Sequence, residues 1–188
     1  MRVSVAPMVD VTGCEFRRFA RLLTKKTHLY TPMLVDQSVI RVAEQRHLLE
    51  HDSVEHPVVA QLGGRDPAAL ARASAMCERA GFDEVNLNVG CPAESAQRCT
   101  HGAGLMVDPQ LPAMVAAMRA AVAAVPVSVK CRIGLNQHDS YEHFRDFVLR
   151  VHAVCKLRAV VCLCFIVPFI AQRVARSLLC TRAKRFCR

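Results

Sequence analysis

No apolar run in this chain reaches the roughly 18 residues that a membrane-crossing helix needs. The longest, Ala159–Ala171 (AVVCLCFIVPFIA), has 13 residues and contains Pro168, so no membrane partner is expected. A secretory leader is also missing from the reading: Val3–Val9 is apolar but short and runs straight into Asp10. Ten cysteines without such a leader imply reduced thiols in a cytoplasmic setting, not a disulfide framework. No C-x-x-C pair accompanies Cys91, Cys99 and His101, which argues against a structural zinc site; no metal is expected. Tryptophan is absent and tyrosine occurs twice. With 52% hydrophobic residues the chain still reads as globular.

Two further absences divide the chain. No acidic residue follows Asp146, and no glycine follows Gly134. Residues 1–150 hold all 16 acids and 17 Lys and Arg; residues 151–188 hold eight Lys and Arg and no acid. Five of the ten cysteines fall in residues 155–188. The expected organisation is therefore a body, 1–150, and an atypical basic Cys/Arg-rich tail, 151–188. Such a tail could attract phosphate non-specifically, or be a segment foreign to the fold.

Within the body, strand-like and helix-like runs alternate. Val3–Ala6, Leu29–Thr31, Pro57–Leu62, Glu84–Val89 and Pro126–Lys130 read as strands. Helices are predicted over Phe16–Leu23, with Phe16, Phe19, Ala20 and Leu23 on one face, over Val35–Ala43, and from an Asp66 N-cap and Pro67 to a Gly81 C-cap. Two more are predicted over Pro109–Val125 and Tyr141–Val154. The strand ends recur at about 31 residues, as parallel β/α units require. The first strand lacks a following G-x-G-x-x-G, so the dinucleotide-binding open sheet is unsupported. The fold class expected is α/β, a (β/α)8 TIM-barrel type of which about the first five units are present.

A barrel places its chemistry at the C-terminal ends of its strands. There the sequence sets Met8, Gln61, Asn88, Cys91, Lys130 and Arg132. A free thiol titrates near about 8.5, so a cysteine there could serve as general acid, or as nucleophile beside a base. Residue type alone leaves a buried structural thiol equally open. Lys130 closes an apolar strand, PVSVK, and needs an anionic or electron-rich partner. Gln61 offers both donor and acceptor. Asn86 and Asn88 alternate with Leu87 and Val89, so the two asparagines share a face.

The segments SVAPMVDVT, YTPML, AQLGGRDPAALA, FDEVNLNVGCP, HGAGLM and VSVKCRIG, followed by DSYE, resemble the tRNA-dihydrouridine synthase family over about residues 3–150. The nearest likeness is to the branch modifying two adjacent D-loop positions. The resemblance implies an FMN-binding barrel that reduces the C5–C6 double bond of uridine in tRNA. NADPH is then the reductant, the flavin delivers hydride to C6, and a cysteine gives the proton to C5. On that likeness Cys91 is the acid. Pro7, Met8 and Val9 match the loop against the flavin, Gln61 and Lys130 match side chains that bond its ring, and Asn88 and Arg132 face the tRNA substrate. The likeness stops after Val148, where VHAVCKLR replaces an expected I-H-A-R-like strand, so His152 is not assigned. The glycine-rich loops expected for the FMN phosphate are not found in these 188 residues, nor is the family's RNA-binding domain. The alternative carried forward is an inactive fragment with weak or no flavin binding and non-specific RNA association.

Overall fold

The computed structural model describes residues 3–41, 46–92, 101–135, 140–155 and 159–162. The elements run β1 (Ser4–Val5), α1 (Cys14–Leu23), β2 (His28–Val35), α2 (Asp36–Ile40), β3 (Val58–Gly63), α3 (Pro67–Arg79), β4 (Glu84–Val89), α4 (Leu111–Ala121), β5 (Val127–Cys131), α5 (Tyr141–Cys155) and β6 (Ala159–Cys162). Single 3-10 turns lie at Arg46–Leu49, Ser53–Glu55 and Ala103–Val107. All six strands pair in parallel, in the order β1-β2-β3-β4-β5-β6. That order never reverses. A doubly wound sheet must reverse at its switch point, whereas a barrel advances steadily. Neighbouring helices also pack on one another in sequence, α2 on α3, α3 on α4 and α4 on α5, so they share one side of the sheet. The described residues form five consecutive β/α units of a TIM-type barrel, plus a sixth strand.

The sheet has two different faces because strand residues alternate. Val58, Ala60 and Leu62, Val85, Leu87 and Val89, and Val127, Val129 and Cys131 all join the core beneath the helices. Leu70, Ala73 and Cys77 of α3 and Leu111, Met114, Val115 and Met118 of α4 meet them there. Each Val or Leu so buried contributes about 1.5–3 kcal/mol. The opposite face, which lines the inside of the barrel, is polar: Gln61, Glu84, Asn86, Asn88 and Ser128 are all buried on it.

Local signals explain most boundaries. Asp66 caps α3 by accepting the Ala68 N–H at 3.0 Å, with Pro67 at the first helical position. Gly81, at φ 94°, ends it. There the N–H of Gly81 donates to the Glu78 carbonyl and that of Phe82 to the Cys77 carbonyl, so two last-turn carbonyls find partners.

Two expectations need correction. The first concerns α1, read with Phe16, Phe19, Ala20 and Leu23 on one face. In the fold Arg17, Ala20 and Arg21 are buried, while Phe19 and Leu23 are 61% and 77% exposed. The helix lies against the polar turn Ser53–Glu55 as well as β2, and its arginines turn inward to bond that turn. The second concerns α4, predicted to run to Val125; it stops at Ala121. Val122 is buried without being helical, so apolar spacing alone overran the end. Past residue 150, α5 continues to Cys155, and Ala159–Cys162 pairs with Ser128–Cys131 as a sixth strand. Residues 163–188, the rest of the expected tail, lie outside the described residues.

The connection from α4 into β5 is tied by a carboxylate. Glu78, near the end of α3, accepts the N–H groups of Ala123, Ala124 and Val125 at 3.0, 2.7 and 3.1 Å. The bond from Ala124, then those from Ala123 and Val125, hold its carboxyl below the ordinary value of 4.5. A depressed folded pKa stabilises above the unfolded value and loses that contribution as pH falls through the folded one. The expected result is that Glu78→Gln lowers the urea midpoint at pH 7, and that the gap from the parent closes as pH drops below 4.5. A gap independent of pH would contradict this role.

Candidate active site

The polar face of the sheet carries a continuous chain of side chains. Gln61 on β3 donates its amide to Asn86 Oδ1 on β4 at 2.9 Å. Asn86 donates to Ser128 Oγ on β5 at 2.7 Å, and Ser128 donates onward to Glu84. The backbone N–H of Gln61 donates to Thr31 Oγ1 on β2 at 3.1 Å. Buried polar groups are costly unless bonded, and this chain bonds them across four strands. Strand registry sets the level: Gln61 pairs with Asn86 and Asn86 with Ser128. One pair higher, Asn88 stands beside Lys130. Lys130 is half-buried there.

Above that pair, β4 ends at Gly90 and Cys91. A Cβ on Gly90 would lie 3.1 Å from the backbone carbonyl carbon of Cys131. A side chain there would press on the exit of β5, so glycine suits this close passage. Cys91 is a free, half-buried thiol. Its N–H donates to Asn88 Oδ1 at 3.1 Å, and its carbonyl accepts the Ala103 N–H at 2.9 Å. The chain leaves at Cys91 and returns at Ala103, with residues 93–100, including Cys99, outside the described residues. Cys77 is fully buried in the core, and desolvation pushes its thiol up to about 12.

Of the residues expected at the rim, the structure thus brings four together on three adjacent strands: Gln61, Asn88, Cys91 and Lys130. Gln61 sits one layer lower than expected, 2% exposed and engaged by Asn86. Arg132 follows β5 directly, its backbone nitrogen 3.5 Å from the position a Gly90 Cβ would take. Pro7, Met8 and Val9 lie at the exit of β1, two strands from Gln61. They form a turn in which the Met8 carbonyl accepts the Val11 and Thr12 N–H groups. Met8 and Val9 are exposed.

Sequence reading missed several participants. Glu84 and Ser128 carry the polar chain, and the alternation in EVNLNV and PVSVK was the signal that placed them on its face. The Gly63-Gly64 pair at the end of β3 is a seat for side chains. A Cβ on Gly63 would stand 2.7 Å from Met33 Sδ and 3.4 Å from the His101 ring, and one on Gly64 would strike the Asp36 carboxylate. Burial raises the Asp36 pKa, partly offset by its bond from the Gln37 N–H. No pattern within one strand announces such a cross-strand seat.

The site sets an ammonium and a thiol at one strand-end rim, with a buried amide one layer below them. Among the described residues no group of three or more His, Cys, Asp or Glu could hold a metal ion, and no helix is long and apolar enough to cross a membrane.

The chain matches the family model described as Dihydrouridine synthase over residues 4–156. A tRNA-dihydrouridine(20/20a) synthase of Pseudomonas syringae pv. tomato is 49% identical over 152 residues, 80% of this chain and 45% of that protein. The proteins of that name from Pseudomonas putida and Escherichia coli are 50% and 48% identical, over 80% and 78% of this chain. The match spans 44% and 42% of their lengths, so this chain corresponds to under half of each relative. On both the family match and these identities, the chain belongs to the dihydrouridine synthase family.

Proposed function

We propose that this chain is the thiol-bearing part of a tRNA-dihydrouridine synthase, acting in the cytoplasm on a D-loop uridine with FMN as cofactor and NADPH as reductant. One observation carries the reading: a half-buried free thiol, Cys91, stands directly above an Asn88–Lys130 pair and beside the strand that carries Gln61.

The residues present fit the ring of a flavin by their chemistry. Gln61 has a primary amide for the imide edge, and Lys130 has a cation for the edge that gains negative charge on reduction. Pro7, Met8 and Val9 would lie against the ring, and Arg132 would face the tRNA. Bound there, a reduced flavin supplies two electrons and one hydrogen to C6 of the uridine. Cys91 supplies the other hydrogen: its S–H breaks, the proton bonds to C5, and the thiolate recovers a proton from water. The target base must leave its stack to reach such a rim. Residues 1–150 would form the first part of the barrel, and residues 151–188 a distinct basic segment, apart from the strand at Ala159–Cys162.

A second reading is favoured by one fact, that the chain matches only 42–45% of its relatives' lengths. It would then be a fragment with weak flavin binding and only non-specific RNA association. Incubation with FMN, NADPH and an unmodified tRNA transcript separates the two. A retained flavin absorption band and dihydrouridine in the tRNA digest are the expected result. RNA binding with neither would establish the second reading.

A further inference from the structure

Resting on the reading of Gln61 as a residue that bonds the flavin ring, we propose that Glu84 is a positioning residue for it. Through Ser128 and Asn86, Glu84 turns the Gln61 carboxamide so that its carbonyl oxygen is offered to the imide N–H of the ring. Glu84 acts at a distance, with two side chains between it and Gln61.

The direction follows from donors and acceptors alone. A carboxylate accepts and cannot donate. Ser128 therefore spends its one hydrogen on Glu84. The Ser128 oxygen then has only lone pairs left, so Asn86 turns its NH2 toward Ser128, at 2.7 Å. An amide that turns NH2 one way turns its oxygen the other, and Asn86 Oδ1 takes the Gln61 amide N–H at 2.9 Å. Nε2 of Gln61 is thus committed to Asn86, and Oε1 is turned away from it. Gln61 Oε1 has no partner among the described residues. A donor in place of the carboxylate would allow every link to reverse, and Gln61 would then meet an imide N–H with its own NH2.

Burial gives the relay its grip. Glu84, Ser128, Asn86 and Gln61 are all buried, so water is poorly placed to mend a broken link, and each bond is strengthened by the low local dielectric. Strand registry sets Gln61 beside Asn86 and Asn86 beside Ser128. The Thr31 hydroxyl holds the Gln61 backbone N–H from the opposite strand. The main choice left to the carboxamide is which end faces Asn86, and the relay makes it.

The test pairs flavin binding with a readout that needs no flavin. FMN and N3-methyl-FMN, which lacks the imide hydrogen, are titrated against the chain by flavin fluorescence. The parent is expected to prefer FMN by at least about 10-fold. Glu84→Gln lets the relay run in either direction, Ser128→Ala cuts it, and Ser128→Thr keeps the hydroxyl. The first two are expected to weaken FMN about 10-fold and to change N3-methyl-FMN by less than about twofold, whereas Ser128→Thr retains the parental preference. In parallel, NMR of protein isotope-labelled at glutamine nitrogen follows side-chain hydrogen exchange, with Gln61 assigned by its loss in Gln61→Glu. The Gln61 amide is expected to exchange about 10-fold more slowly than that of exposed Gln37. It should lose that protection severalfold in Glu84→Gln and Ser128→Ala, while the backbone amides of β4 stay protected.

A parent that binds both flavins equally, or Glu84→Gln and Ser128→Ala variants that weaken both alike or neither, would overturn the assigned direction. If Glu84→Gln loses backbone protection it has unfolded, and the two Ser128 variants decide. A parent that binds neither flavin ends the reading of Gln61 as a flavin residue, and exchange then decides the relay alone. Protection lost in Ser128→Ala supports the hold of Glu84 on Gln61. Protection unchanged there, or a parental Gln61 amide exchanging like that of Gln37, overturns it.

Discussion

Uridine reduction is expected to fall by about 100- to 10,000-fold in Cys91→Ala, the usual loss when a positioned acid is removed, with flavin retention and unfolding midpoint unchanged. The structure says why the substitution should be so clean. The bonds that hold residue 91 run through its backbone N–H and carbonyl, which alanine keeps. The side chain is half-exposed and outside the hydrophobic core, so its loss leaves no internal cavity. Cys77 is the useful contrast. Its thiol is wholly buried among the core residues and pushed up to about 12, so changing it alters packing without touching chemistry. The measurement is dihydrouridine formed per flavin under single turnover, compared across parent, Cys91→Ala and Cys77→Ala. Parental turnover in Cys91→Ala would end the assignment of that thiol as proton donor.

The largest expected loss of stability comes from a different place. Glu55 is fully buried, and its carboxylate accepts Arg17 Nε at 2.6 Å and the Asp52 N–H at 2.8 Å. Beside it Arg21 donates to the carbonyls of Thr24, Thr27, Glu55 and Pro57. Together these bonds fasten α1 to the turn that leads into β3. Removing one partner of a buried ion pair strands the other charge, at a cost of about 3–5 kcal/mol. Domains of this size are stable by only about 5–15 kcal/mol. Glu55→Gln is therefore expected to lower the urea midpoint severely, and Arg17→Met to do the same. The double variant Arg17→Met/Glu55→Leu should lose less than the sum of the singles, because no lone charge remains. Additive losses in that cycle, or a Glu55→Gln midpoint equal to the parent's, would contradict the clamp read here.

Where the sequence could be read, a strong local rule operated. EVNLNV alternates cleanly, and β4 begins and ends as expected. Asp66, Pro67 and Gly81 announce α3 because capping chemistry is local. Failures arose where a distant partner decides. Phe19 and Leu23 look like a core face until Glu55, far along the chain, claims Arg17. Ala159–Cys162 lies inside the longest apolar run and was not read as a strand; its pairing comes from β5.

The inside-out helix α1 has a practical consequence. Phe19, Leu22 and Leu23 stand 61%, 76% and 77% exposed, close in sequence to exposed Val9 and Val11, on the unit that contributes the short edge strand β1. Among the described residues, an oily flank of this kind next to an edge strand is a surface that water disfavours and other surfaces welcome. Sulfate and similar excluded salts strengthen that preference. Handling in the laboratory is therefore governed less by the chain's +9 charge than by this flank, and precipitation by mild salting-out follows from it.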